Sequence, residues 1–390
     1  MKCKIFLFFL LLFAMLLLSS CTDVVELDHL AIFSGVGFDQ GTDMKLVATV
    51  QLILHRQLKV QSQGGNSGYV TTNVIVNGEN LLDISRNFSL QSGRKSVWSH
   101  AKVFIIGEEL AKSGIGEIID ILERDNDIRR KTYLCIAKGN AGEVLSAETT
   151  RLETIQAYNI SDMIELYTRH GKAVLVDINR YAITTSPNND NAFITGISLI
   201  PKTAITPNAT NELQLEGTAI LKKDQLVGWF DETETKGLLW ILGETKSCIE
   251  NIEYPKKGAP ISIEILSAGS KIIPIFEHQT IKKIKVEVKC TGRIAQANPN
   301  VQLMKIGELD KIVEKVEEQI EKEITLSIEK GQEYHADIFG FNEVVNNKDP
   351  KLFKSLKNNW DEIFAALEVE VDIDLTLRSA GLLIDREEEK

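Results

Sequence analysis

Residues 102–137, KVFIIGEELAKSGIGEIIDILERDNDIRRKTYLCIA, decide the fold. KVFIIG at 102–107 reads as a strand, an apolar run with β-branched content. It passes directly into 108–123, where Leu110, Ile115, Ile118, Ile119 and Leu122 form an apolar stripe at helical spacing. Asp125-Asn126-Asp127 turns the chain, and 131–137 is a second strand. Strand, helix, strand in that order predicts an α/β layer with at least one parallel pair.

The same alternation extends outward. Residues 44–55 (MKLVATVQLILH) and 69–76 read as strands separated by a Gly/Ser/Asn-rich turn at 61–68, and 79–91 and 152–170 have helical spacing. Breaks dense in Pro, Asn and Thr fall at 186–191 and 201–211, and the main boundary belongs in the second. Beyond it come a short β-rich stretch, 213–230, a helix near 234–242, and strands at 261–266 and 283–291. The long helix 307–330 carries Leu309, Ile312, Val313, Val316, Ile320, Ile324 and Ile328 at offsets of three or four, and Asp349-Pro350 is the N-cap and first residue of the next helix. At the end Val369, Val371, Ile373, Leu375 and Leu377 alternate with polar residues, a strand with one buried and one acidic face against which the long helix should pack.

Composition narrows the function. With 44 basic and 55 acidic residues among 390, a net charge of −11 argues against nucleic acid as a partner and against a basic membrane-binding body. Yet Lys2 and Lys4 precede an uncharged apolar run at 5–18, too short to span a bilayer and suited to a signal peptide over 1–20. Leu18-Ser19-Ser20-Cys21 follows it, and resembles the lipobox of bacterial lipoproteins, in which the cysteine is lipidated and becomes the new N-terminus. Cleavage there removes two lysines and no acid, giving an exported body of net charge −13. Stable anchoring needs two or more acyl chains, such as palmitate, on Cys21. Of the remaining cysteines, Cys135, Cys248 and Cys290, an odd number cannot all pair within one chain, and Cys290 has the parity of a small buried hydrophobe beside Ile284, Val286 and Val288.

Catalytic patterns are not found. Gly35-Val36-Gly37 has Gln40 where a dinucleotide fingerprint needs its third glycine; no phosphate loop, HExxH or GxSxG occurs, and the six histidines are scattered. No catalytic residue, cofactor or metal is assigned.

A set of short signatures runs in order through the mature chain: Cys21-Thr22-Asp23-Val24-Val25-Glu26-Leu27, Leu30-Ala31, Gly35-Val36-Gly37-Phe38-Asp39, His100 to Glu109, Arg124-Asp125 to Ile128-Arg129, Gly217-Thr218-Ala219-Ile220, Leu226-Val227-Gly228-Trp229, Glu234 to Trp240, and Asp337-Ile338-Phe339-Gly340-Phe341. Together they resemble the Ger(x)C family of spore germination lipoproteins, the C components of nutrient germinant receptors. Thr22 departs from that family's usual Trp. The resemblance implies a three-domain α/β (α+β) lipoprotein with mixed sheets flanked by helices and without known catalytic activity. It implies lipid anchoring on the outer face of the spore inner membrane beside two polytopic membrane subunits, with a role in receptor assembly or signal coupling. The domains expected are 21–206, a small β-rich region 207–252, and 253–390. The alternative, a solute-binding lipoprotein of a transporter, would need two similar lobes around a cleft. Trp229, Phe230, Trp240, Phe339 and Phe341, concentrated in two short stretches of a chain that is 7% aromatic, are the candidate partner-docking residues, each being either a core residue or an interface anchor.

Overall fold

A computed structural model of the protein describes residues 5–6, 26–42, 46–54, 70–147, 153–185, 189–201, 211–254, 260–278, 280–297, 303 and 305–378. The expected signal peptide, Cys21 and the turn at 61–68 lie outside the described residues, Ile5 and Phe6 apart. In chain order the first unit comprises β1 (Leu30–Asp39), β2 (Leu46–Ile53), β3 (Thr71–Gly78), α1 (Leu81–Ser92), β4 (Lys95–Val97), β5 (Val103–Gly107), α2 (Glu108–Ser113), α3 (Gly116–Arg124), β6 (Tyr133–Lys138), α4 (Ala141–Ser146), α5 (Gln156–Arg169), α6 (Ile178–Thr184), β7 (Asn191–Pro201), β8 (Asn211–Lys222) and β9 (Gln225–Phe230).

These strands form one mixed sheet in the order β3-β2-β1-β5-β6-β7-β8-β9, with β4 beside the start of β1. The pairs β1/β5, β5/β6 and β6/β7 are parallel, as the decisive stretch predicts, and antiparallel strands flank them. All five residues of β5 are buried because both faces of the sheet are covered. Phe104 and Ile106 enter one core, whereas Val103 and Ile105 face a second core shared with α4 and α5.

The single helix expected over 108–123 is two. Gly114 adopts φ 128°, which side chains rarely tolerate, and the Gly116 amide beyond it donates to Asp224 Oδ2 at 3.3 Å. The glycine pair on β1 is a packing device: a Cβ at Gly35 would lie 2.7 Å from Ala157 Cβ, and one at Gly37 2.9 Å from the Ala141 backbone. Only glycine lets α5 and α4 press so closely onto the strand.

The second layer contains α7 (Glu232–Ile241), β10 (Ile249–Glu253), β11 (Pro260–Glu277), β12 (Thr280–Gln296), α8 (Glu308–Glu333), α9 (Phe341–Lys348), α10 (Pro350–Leu356), α11 (Trp360–Ala365) and β13 (Glu368–Leu377). Its sheet runs β10-β11-β12-β13. The strands expected at 261–266 and 283–291 are the inner parts of a much longer hairpin, and β13 lies parallel to β12, Cys290 opposite Leu375. Asp349 caps α10 by accepting from the Lys351 and Leu352 amides, with Pro350 at the first helical position. α8 buries Ile312, Val316, Ile320, Ile324 and Ile328 against α7 and β13, while Leu309 of the expected stripe is exposed. On the outer face of β13, Asp372 pairs with Lys285 at 2.8 Å and Glu370 with Lys283.

The small middle region expected at 207–252 has no sheet of its own. β8 continues the large sheet through antiparallel pairing with β7, β9 ends it, and β10 opens the small sheet. The protein is therefore a mixed α/β molecule built on two unlike sheets. Cys135, Cys248 and Cys290 are all free and buried.

Candidate functional site

Strand parity separates the first two docking candidates. Phe230 points into the core and is fully buried, whereas Trp229 is half-buried, with the Lys138 ammonium 5.1 Å from its ring centroid and the Trp229 carbonyl accepting from the Tyr334 hydroxyl at 3.3 Å. Trp240 is fully buried on α7. Phe339 and Phe341 stack at 5.4 Å and meet Phe364 at 6.1 Å. Burial therefore makes Phe230, Trp240, Phe339 and Phe341 packing residues, unavailable as surface anchors in this structure; of the five candidates only Trp229 meets solvent.

Asp337 explains the conformation of the second stretch. Its buried carboxylate accepts from the Phe341 amide (3.1 Å), the Asn342 amide (2.7 Å) and Trp360 Nε1 (2.9 Å), tying the start of α9 to α11. Burial raises its pKa to about 6 in spite of these donors. Because the folded state holds this proton more tightly than the unfolded chain, Asp337 should contribute about 3 kcal/mol of extra stability as pH falls from 7 through 6 to about 4. Across that window the urea midpoint of the wild type relative to that of Asp337→Asn should rise toward acid. A wild-type-to-variant difference that does not change with pH would sink this assignment.

A buried ionic cluster joins α7, β10 and α8. Lys236 Nζ lies 2.7 Å from Glu250 Oε1 and 2.9 Å from Glu323 Oε1, while Glu323 Oε2 accepts from Trp240 Nε1 at 3.0 Å. A Cβ at Gly237 would lie 2.1 Å from the Glu323 carbonyl oxygen, so α7 can sit this close to α8 only with glycine there. Burial opposes the Lys236 charge, but the two carboxylates outweigh it and raise its pKa, locking it as ammonium. Burial and then the Glu323 charge push Glu250 well above the ordinary carboxylate range, and burial pushes the Cys248 thiol up. Neither lysine nor thiol is poised as a nucleophile. The cluster floors a cleft of about 500 Å³ whose rim includes His170, Lys172 and Glu232, the last two paired at 3.1 Å. Sequence reading missed it, although one signal was present: Glu323 sits on the apolar stripe of α8, where an acid needs a buried partner.

At the C-terminal edge of the parallel strands, Asp39 accepts from the Ala141 and Gly142 amides, both at 2.8 Å. The position where doubly wound sheets hold an anionic ligand is thus filled by the protein's own carboxylate. No group of three His, Cys, Asp or Glu side chains able to hold a metal occurs among the described residues.

Residues 23–199 match the family described as "Spore germination protein N-terminal domain", and residues 216–381 that described as "Spore germination B3/GerAC like, C-terminal". The chain belongs to the GerAC-like family of spore germination proteins. Similar GerAC-like relatives are Spore germination protein KC of Bacillus subtilis (strain 168), 25% identical with 96% of this chain and 95% of that one covered, and Spore germination protein B3 of the same organism, 25% identical with 96% and 97% covered. Among solved structures, the GerBC protein superposes with a TM-score of 0.58 at 21% identity, covering 88% of this chain and 97% of that one, which shows a shared fold. The GerAC-like signatures in the sequence fall on recognisable structure: Gly35 to Asp39 on β1 and its cap, Glu234 to Trp240 on α7, and Asp337 to Phe341 on the Asp337 hub.

Proposed function

We propose that this GerAC-like chain is a non-enzymatic, lipid-anchored subunit of a spore nutrient germinant receptor, held on the outer face of the spore inner membrane through Cys21. It acts in receptor assembly or signal coupling beside two polytopic membrane subunits. The observation that carries this reading is the likeness to spore germination proteins over nearly the whole chain, joined to a lipobox-like Leu18-Ser19-Ser20-Cys21 after a short apolar run. No helix among the described residues is long and apolar enough to cross a membrane. Attachment is assigned to acyl chains on Cys21 from the lipobox-like sequence. Trp229 is the aromatic retained as a candidate contact for a partner subunit. Two unlike sheets give no support to a two-lobed solute-binding protein.

The test is Cys21→Ala in the sporulating host. Wild-type protein should carry the mass of its acyl chains, fractionate with membrane and co-purify with two polytopic proteins; the variant should lose all three properties. An unmodified wild-type Cys21, or unchanged fractionation of the variant, would refute the anchor. Retention of the polytopic partners by unanchored protein would assign assembly to protein contacts alone.

A further inference from the structure

In the chain α7 lies between the two sheets, and in the fold it touches both layers. On the large-sheet side the Thr235 and Thr218 hydroxyls share a buried hydrogen bond of 2.9 Å, and Glu232 pairs with Lys172 at 3.1 Å. On the other side Lys236 reaches Glu250 of β10 and Glu323 of α8. The turn after α5 closes on the same place: a Cβ at Gly171 would lie 3.0 Å from Cys248 Cβ, just before β10. The Lys236 cluster therefore sits at the joint through which the two sheets are coupled.

That joint holds two carboxyl groups against one ammonium. Glu250 and Glu323 are 1% and 2% exposed, and Lys236 Nζ lies 2.7 and 2.8 Å from the two oxygens of Glu250. The other groups facing Glu250 bring no second cation among the described residues. Cys248 Sγ is 3.6 Å away and Cys290 approaches from β12, both thiols held neutral by burial; the residue opposite on β11 is Ile263; Gln319 of α8 donates to Glu323 at 3.1 Å. At the rim of the cleft Lys172 is taken by Glu232, and His170 stands beside it. With both carboxyl groups ionised, a surplus negative charge lies out of water, and one shared proton removes it. Burial and the Glu323 charge raise the Glu250 pKa in keeping with this count. The cleft of about 500 Å³ leads from solvent to the cluster.

We propose that the Glu250–Lys236–Glu323 cluster is a proton-operated latch between the two sheets: with its shared proton the joint is closed, and when that proton leaves, the joint opens locally toward the cleft. Loss of the proton sets two negative charges on one ammonium, and water entering through the cleft is the nearest relief. The closed cluster keeps its proton at a pH where a solvated carboxyl group has lost it, so the latch is strongest in acid and weakens as pH rises through neutrality. A displacement passed between the sheets through α7 is then carried more stiffly below neutrality than above it.

Hydrogen exchange of the whole protein, followed by mass spectrometry, tests the latch. One proton held by the closed form and not by the open one changes the opening equilibrium by up to about tenfold per pH unit. After correction for the intrinsic pH dependence of exchange, protection in α7, β10 and the middle of α8 should fall about tenfold between about pH 6 and about pH 8. β5, deep in the large sheet, should stay protected at both. Glu250→Gln leaves one acid facing Lys236 and should make protection independent of pH. Glu323→Gln should do the same by removing the other charge, which keeps the test open if the first variant does not fold. His170→Gln removes the imidazole at the rim and should retain the wild-type fall. Protection that is constant with pH in the wild type, a fall retained by either glutamine variant, or its disappearance in His170→Gln would overturn the proposal. An equal loss of protection in β5 would make the event global unfolding and overturn it as well.

Discussion

Lys236→Met should destabilise the protein by roughly 3–5 kcal/mol at neutral pH, because it leaves Glu250 and Glu323 facing one another in the interior without their shared cation. The loss should shrink toward acid. Glu250 already has a raised pKa in the intact cluster, and without Lys236 it should rise further, so the folded variant takes up a proton that the unfolded chain does not hold. Urea unfolding at about pH 8 and about pH 5 checks both the size and the sign. Lys236→Met combined with Glu250→Leu and Glu323→Gln removes the charges yet leaves Trp240 Nε1 an acceptor, and should recover most of the stability. Equal midpoints for Lys236→Met and wild type at both pH values would mean that the cluster is not closed in solution.

Ile320→Asp should be comparably damaging. Ile320 is fully buried on α8, and a carboxyl group there must either remain charged without a partner or take up a proton, a cost of several kcal/mol by either route. The second sheet should then lose cooperative melting. Lys322→Asp, on the exposed face two residues away, should melt close to wild type. If the two variants behave alike, the burial assigned to α8 is wrong.

What was legible in the sequence follows from how local each signal is. The period of α8, the alternation of β13 and the cap at Asp349 are set by neighbours within a few residues and form as read, except that Leu309 is exposed and that only Leu375 on the apolar face of β13 is fully buried, its neighbours there being half-buried. β1 was missed as a strand because Gly35 and Gly37 replace side chains, and the reason for them, the approach of α4 and α5, lies more than a hundred residues away. β7 escaped for a similar reason: the Pro- and Asn-rich segments on either side dominated its reading. The middle region was set apart because sequence continuity breaks at 201–211, yet backbone pairing of β7 with β8 carries the sheet across that break. The Lys236 cluster unites residues from positions 236, 250 and 323, which no spacing rule connects. All five aromatics were ambiguous between core and surface, and only the parity of β9, the burial of Trp240 against Glu323 and the packing around Asp337 decided them.

The place where the tether proposed at Cys21 would join the body also has a mechanical consequence. The chain leading from residue 21 feeds β1, an interior strand whose Val36 is bonded to Val50 on one side and to Phe104 on the other. A pull along the tether loads both ladders in shear, many hydrogen bonds at once, whereas an edge strand or a terminal helix could be peeled away bond by bond. Forced unfolding of the body should therefore be slow, and, with the proposed anchor in place, a tug on residue 21 should reach the whole large sheet as a displacement rather than be absorbed by peeling of a single strand.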